Sequence, residues 1–248
     1  MKGIVLAGGL GTRLLPMTRV TNKHLLPIYD RPMICYPLQQ LAQAGIRDIL
    51  VVTGGDHAGD FLKLLRNGRD FGLDYLRYAF QEGEGGIAEA LGLAEHFAAG
   101  GPVTVILGDN IFQDSLAPAI GSFVENPVGA RLLLKTVDDP QRFGVATVER
   151  ERVVRVSEKP IHPASSLAVT GCYMYDHKVF DVVRTLEPSA RGELEITDVN
   201  NQYIEWGELG HDVIEGWWTD AGTVPSIHRA AGLVAADRSN PVLTGDLT

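Results

Sequence analysis

Four short runs of Val, Ile and Leu punctuate the first 137 residues: KGIVLA (2–7), DILVVTG (48–54), PVTVILGD (102–109) and GARLLLKTV (129–137). Each reads as a strand buried on both faces, because a strand with one wet face would alternate apolar and polar residues. Between the first two lies PMICYPLQQLAQAGI (32–46), whose helical periodicity starts at a proline and stops at Gly45. GIAEALGLAEHF (86–97) reads as a second amphipathic helix. Strands alternating with helices imply an α/β fold: a mixed, mostly parallel, Rossmann-like sheet between two helical layers. Ligands of such sheets bind beyond the carboxyl ends of the strands, where LAGG and LGDN fall.

From Gly144 the pattern changes. GVATVERERVVRVSEKP alternates apolar and polar residues as an antiparallel pair would, with ERER as its turn. AVTGCYMYD (168–176) is a further strand, followed by helices at DHKVFDVVRTL, ITDVNNQYIEWG and VPSIHRAAGLVAADR (224–238). PSARGELEITDVN reads as a helix start, with Pro188 and Ser189 opening a turn and Glu193 and Glu195 near the helix N-terminus. No linker or low-complexity stretch interrupts the chain, so residues 1–248 are expected to form one domain with a small β-rich subregion.

A net charge of −9 over 248 residues argues against nucleic acid or an anionic membrane as partner, since both need clustered Lys and Arg. Any phosphate site must therefore be local. Cys35 and Cys172 lack metal-ligand spacing and read as reduced core thiols. The opening MKGIVLAGG has too short an apolar run for a secretion signal, and no run approaches the roughly 18 apolar residues of a membrane span. The chain reads as cytoplasmic. Its seven His residues are scattered with no metal spacing and read as structural or exposed.

The loop LAGGLGTR is built for an anion. Gly8, Gly9 and Gly11 allow positive φ and close backbone approach, and successive N–H groups of such a turn form a concave anion site. It is not a Walker loop, because no Lys-Ser/Thr pair follows, nor a dinucleotide loop, because Leu14 stands where the third glycine belongs. Instead it continues into Thr12 and Arg13, then Lys23 in TNKHLLP, a forked cation and a compact one.

The run LAGGLGTRLLPMTRVTNKHLLPIYDRPMI resembles the signature of the sugar-phosphate nucleotidylyltransferases. VILGDNIF, DDPQRFGVA, SEKP, AVTG, PSARGELEITDVN and WWTDAGT follow in the order that family shows them. The similarity is greatest to its thymidylyltransferase branch. The resemblance implies the nucleotide-diphospho-sugar transferase fold, with a nucleotide-binding part at about 1–140, a sugar-phosphate-binding part at about 141–223 and a C-terminal helix at 224–238. It implies Mg²⁺ as cofactor, dTTP or UTP and glucose 1-phosphate as substrates, dTDP-glucose and pyrophosphate as products, and a homo-oligomer. Long members of the family carry further C-terminal helices that help form a regulatory nucleotide site, so this short form is expected to lack or alter that inhibition.

By the same resemblance, Arg13 would hold the β- and γ-phosphates and Lys23 would bridge the α-phosphate and the sugar phosphate. Asp109 and Asp220 would ligate the metal, the other readings being a turn cap for Asp109 and plain turn chemistry for TDAG. Leu6, Gly8, Gly9, Gly11, Thr12, Gln81, Gly86 and Asp109 would bind the nucleotide. Asn110, Gly144, Glu158, Lys159, Val169, Thr170, Gly171 and Trp218 would bind the sugar phosphate. EKP could also be a solvated ion pair, and Trp218 a core residue beside Trp217.

The base loop departs from the branch pattern. Gln81 is followed by EGEGGIAEA, without the usual prolines, with Ile87 for Leu and Glu89 for Gln. Base choice is therefore the open point. A UTP- or GTP-using relative remains an alternative, as does a non-catalytic nucleotide-sugar sensor on the same fold, although binding alone does not need the whole charge-neutralising set.

Overall fold

The computed structural model describes residues 1–237. Strand β1 (Lys2–Ala7) is followed by a short hairpin of β2 (Pro27–Ile28) and β3 (Arg31–Pro32), then helix α1 (Cys35–Gln43) and strand β4 (Asp48–Gly54). Helix α2 (Ala58–Leu65), β5 (Tyr75–Gln81), α3 (Ile87–Gly92), α4 (Glu95–Ala98), β6 (Val103–Leu107) and β7 (Asn110–Phe112) come next. The chain continues through α5 (Ala117–Glu125), β8 (Ala130–Thr136), β9 (Gly144–Glu149), β10 (Arg152–Glu158) and β11 (Leu167–Tyr175). It ends with α6 (Val179–Thr185), α7 (Ile196–Glu205), β12 (Leu209–Val213), β13 (Trp218–Asp220) and α8 (Val224–Ala236). Arg238, expected as the last residue of that helix, lies outside the described residues.

Nine strands form one sheet. Its main path is β10-β9-β11-β6-β1-β4-β5, with β8 on β11 and β12 on β8. The β6-β1-β4-β5 part is parallel, and β11 joins it antiparallel through β6. Alternate residues of β1 feed two cores: Ile4 and Leu6 pack with α3, α4, α6 and α7, while Val5 and Ala7 pack with α1, α2 and α5. Covering both faces is why the strands read as unbroken apolar runs. No helix among the described residues is long and apolar enough to cross a membrane. Cys35 and Cys172 are free, buried thiols.

Several elements differ from expectation. The helix expected at 32–46 spans Cys35–Gln43, because Arg31 and Pro32 pair with β2. Its end is as expected: Gly45 has φ 82°, and the Ile46 N–H bonds back to the Leu41 carbonyl. The single helix expected at 86–97 is two. Beyond Gly92 the Ala94 N–H turns to the Leu91 carbonyl at 2.9 Å, a tighter i→i+3 bond that breaks the helical ladder. The 144–160 hairpin continues the main sheet, with Val145 beside Ala168. β11 is bulged: between Val169 and Tyr173 it advances four residues while β8 advances two, from Leu134 to Leu132.

The β9–β10 hairpin turns at Arg150 and Glu151 with φ 48° and 64°, the primed turn whose twist suits a two-residue loop. Left-handed φ at two non-glycine residues is costly. Replacing Arg150-Glu151 by Asn-Gly is expected to raise stability by about 1 kcal/mol, or about 2–4 °C in Tm. An unchanged or lower Tm would show that the turn carries no such cost.

Candidate active site

Every strand end expected to carry chemistry opens on the same side of the sheet. After β1 the chain enters the glycine loop. A Cβ on Gly11 would lie 2.9 Å from the Thr18 Cγ2 and 3.1 Å from the Lys23 Cβ, so glycine here lets the Lys23 segment close onto the loop. A Cβ on Gly8 would lie 2.6 Å from the Gln81 Oε1, so that glycine admits the end of β5.

Lys23 opens a short 3₁₀ turn capped by Asn22, whose Oδ1 accepts from the His24 N–H at 2.9 Å. The cap turns the His24 ring inward against Gly108, where a Cβ would come within 2.8 Å of it. Burial, then the neighbouring Lys23 charge, lowers the His24 pKa from 6.5 to about 3. His24 is thus a neutral packing piece, and the positive charge stays on Lys23. Its Nζ donates to the Asp109 Oδ2 at 2.7 Å, with both side chains at most 15% exposed.

Asp109 follows β6 and is held in place from two directions. Its carbonyl accepts from the Ala221 N–H at 2.8 Å, and its Oδ1 accepts from the Asn110 Nδ2 at 2.9 Å. Burial alone would raise this carboxyl, but the Lys23 charge and the hydrogen bonds from Lys23 and Asn110 hold it well below the carboxylate range. Asp220 arrives on β13, which pairs with β7 so that Asp220 faces Asn110. Burial and then the like charge of Asp109 push its carboxyl up, against the pull of Arg142, whose Nη2 donates to the Asp220 Oδ1 at 3.1 Å. Gly222 shows how closely these groups converge. A Cβ there would lie 3.2 Å from the Asp220 Oδ2, 3.3 Å from the Arg13 Nη2 and 3.7 Å from the Asp109 Oδ2.

Two cavities meet at this cluster. The larger, about 590 Å³, is lined by Leu6, Gly8, Gly9, Gly11, Thr12, Arg13, Lys23, Gln81, Gly86 and Asp109, which covers every residue expected to bind the nucleotide. The smaller, about 360 Å³, is lined by Asn110, Gly144, Glu158, Lys159, Val169, Gly171, Trp218 and Asp220. Arg13, Asp109 and Lys159 border both. Thr170 stays out: it is fully buried in the β11 bulge, with an Oγ1 that has no hydrogen-bond partner.

The bulge explains AVTG. It frees the Gly171 N–H from the ladder and turns it to the Asn110 Oδ1 at 2.9 Å, an oxygen that also accepts from the Trp218 Nε1 at 2.7 Å. Trp218 packs its ring against Phe143, 5.0 Å between centroids, and also lines the smaller cavity. At the end of β10, Lys159 has φ 40° and its N–H bonds the Phe143 carbonyl at 3.0 Å. That strained turn brings the side chain to the border of both cavities, a use of backbone strain common at functional sites. Glu158 accepts from the Thr197 Oγ1 at 2.8 Å and pairs with the Lys159 Nζ at 3.2 Å.

Sequence reasoning missed Arg142 and Arg191, which line the smaller and the larger cavity respectively. Both lie in motifs singled out above, DDPQRFG and PSARGELE. The available signal was an arginine in a loop of an acidic chain, which alone does not separate a ligand contact from a surface charge. Thr197 and Asn200 of α7 also reach the smaller cavity.

A mixed sheet with a parallel core, and with a glycine loop, two cations and two carboxylates beyond its strand ends, is the arrangement of a site that handles nucleotide phosphates. The chain belongs to the nucleotidyl transferase family, which residues 2–236 match. It is 46% identical over 238 residues to the glucose-1-phosphate thymidylyltransferase of Neisseria meningitidis, covering 94% of this chain and 82% of that one. To the enzyme of that name from Mycobacterium tuberculosis it is 40% identical over 240 residues, at the same 94% and 82% coverage. Among solved structures it resembles a Bacillus anthracis protein described as a candidate glucose-1-phosphate thymidylyltransferase and crystallised with sucrose, at 49% identity, TM-score 0.92 and 98% of both chains. A UDP-glucose pyrophosphorylase bound to UDP-glucose shares the fold at 23% identity and TM-score 0.83, over 96% of this chain and 99% of that one.

Proposed function

We propose that this chain transfers a thymidylyl group from dTTP to glucose 1-phosphate, giving dTDP-glucose and pyrophosphate. The observation that carries the reading is the pair of cavities meeting at Arg13, Asp109 and Lys159. The larger suits a nucleoside triphosphate and the smaller a sugar phosphate. In the reaction a phosphate oxygen of the sugar phosphate forms a bond to the α-phosphorus while the bond to the bridging oxygen of the β-phosphate breaks. No proton transfer is needed, so the protein's work is alignment and charge neutralisation.

Arg13, rising from the glycine loop, is assigned to the β- and γ-phosphates, where its fork can grip two oxygens and hold the departing pyrophosphate. Lys23 lines the larger cavity beside Asp109, which borders both, and is assigned to the α-phosphate, damping its repulsion from the incoming anion. Lys159 and Arg191 supply further positive charge, and Glu158, which lines the smaller cavity, is assigned to the sugar hydroxyls. Asp109 and Asp220 fit Mg²⁺, which takes one or two carboxylates and completes its shell with phosphate oxygens and water. The two carboxylates converge at Gly222, where a Cβ would lie 3.2 Å from the Asp220 Oδ2 and 3.7 Å from the Asp109 Oδ2. When bound, the ion would neutralise phosphate charge.

The test is pyrophosphate release with glucose 1-phosphate and Mg²⁺, using dTTP, UTP, GTP, CTP and ATP in parallel. Release fastest with dTTP, with UTP next, is expected, since a pocket reading only a methyl group discriminates by about 1–3 kcal/mol. Faster release with GTP or ATP would assign a different nucleotide, and nucleotide binding without any release would favour the sensor.

A further inference from the structure

Gln81, at the end of β5, is 5% exposed yet lines the larger cavity, and its amide is held in one orientation. The Nε2 donates to the Glu89 Oε2 at 2.6 Å and to the Gly86 carbonyl at 3.2 Å. Both neighbours are pure acceptors, so the NH₂ end must face them and the amide cannot flip without setting oxygen against oxygen. The Oε1 is thereby turned toward Gly8, where a Cβ would lie 2.6 Å away, and no donor among the described residues reaches it. Glu89 comes from the first turn of α3, and its carboxylate folds back so closely over Gly85 that a Cβ there would lie 2.2 Å from it.

We propose that Glu89 is a positioning residue that sets base selectivity by clamping the Gln81 amide so that it offers only an acceptor to the base. The inference rests on the reading of the larger cavity as the nucleotide site. A base with an N–H at its pairing edge, as thymine and uracil have at N3, meets that oxygen with a hydrogen bond. Cytosine has a bare N3 there, and two acceptors would face each other in a buried setting. The clamp does not touch the 5-methyl position, so it separates thymine and uracil together from cytosine without separating them from each other.

The experiment measures dissociation constants of dTTP, UTP and CTP by competition against a fluorescent nucleotide, on the intact chain and its Glu89 variants. The wild type is expected to favour dTTP and UTP over CTP by at least about tenfold. Glu89→Met, similar in size but without an acceptor, is expected to lower that ratio about tenfold while dTTP and UTP move together. Glu89→Gln keeps an oxygen for the Nε2 and is expected to hold the ratio within about threefold. Glu89→Ala serves as a second variant should the Met variant fold poorly, with the same expected loss. An unchanged ratio in Met and Ala variants that still bind dTTP would overturn the clamp and leave the proposed function standing. A wild type that binds no pyrimidine triphosphate would overturn both.

Discussion

Lys23→Met is expected to lower kcat about a thousandfold, in keeping with the loss of one preorganised cationic donor from a partly desolvated phosphate site. The effect should fall on kcat more than on the KM for nucleotide, because Arg13 and the glycine loop still bind the triphosphate while the charge between the two anions is missing. The same change strips Asp109 of its 2.7 Å partner and leaves a mostly buried carboxylate beside Asp220. We expect a stability loss of about 2 kcal/mol at pH 7, or a Tm lower by about 4–8 °C. The sign of its pH dependence follows from Asp109, whose pKa in the folded state is depressed. Stability from such a group is present above its unfolded pKa of about 4 and is lost as pH falls through the folded value. In the variant the Lys23 pull is gone and burial raises the Asp109 carboxyl, so acid protonates it and relieves the cost while the wild type keeps its ion pair. The gap should be full near neutrality and smaller at pH 4, as thermal melts in a chelator at the two pH values would show. A variant with wild-type kcat would remove Lys23 from the reaction.

Asn110→Ala is expected to cost more stability and less of the rate, by a different route. The Asn110 side chain, which lines the smaller cavity, accepts from Gly171 and Trp218 and donates to Asp109. Alanine leaves a buried backbone N–H and a buried indole N–H without an acceptor, at about 1–3 kcal/mol each. We expect a loss of about 3 kcal/mol and a kcat reduced by about a hundredfold, because β7, β11 and β13 meet at this side chain and aim both aspartates. Denaturant unfolding and steady-state rates on one preparation separate the two. A variant with wild-type stability would show that another group or water replaces the amide oxygen.

Asn110 also marks where reading the sequence stops. LGDN identified a strand end bearing polar side chains, because an apolar run breaking at Gly-Asp signals both the end of a buried strand and its ligand side. That Asn110 binds the β11 bulge could not be read, since the bulge itself is a mismatch between two strands more than thirty residues apart. The short strands β7 and β13 were missed for a related reason. Three residues carry no periodicity, and each exists because the other pairs with it.

The buried strands were legible because their composition reports burial on both faces, a local consequence of the global layering. The glycine loop was legible because Gly8, Gly9 and Gly11 have few reasons to cluster other than backbone approach. The break after Gly92 was not, since the apolar pattern of 86–97 continues through it and only hydrogen-bond geometry divides the helix. Glu89 reads as one of the departures that leave base choice open, and only the structure shows its carboxylate on the Gln81 amide.

Amino-acid order alone therefore sets the layered α/β fold and the anion loop, because strand burial and glycine backbone freedom act over a few residues. Tertiary structure decides that Lys23, Asp109 and Asp220 share one cleft, that Arg142 and Arg191 join it, and that Gln81 presents an oxygen. Charge coupling and hydrogen-bond direction depend on distances of a few ångströms between segments far apart in the chain, and folding alone determines those distances.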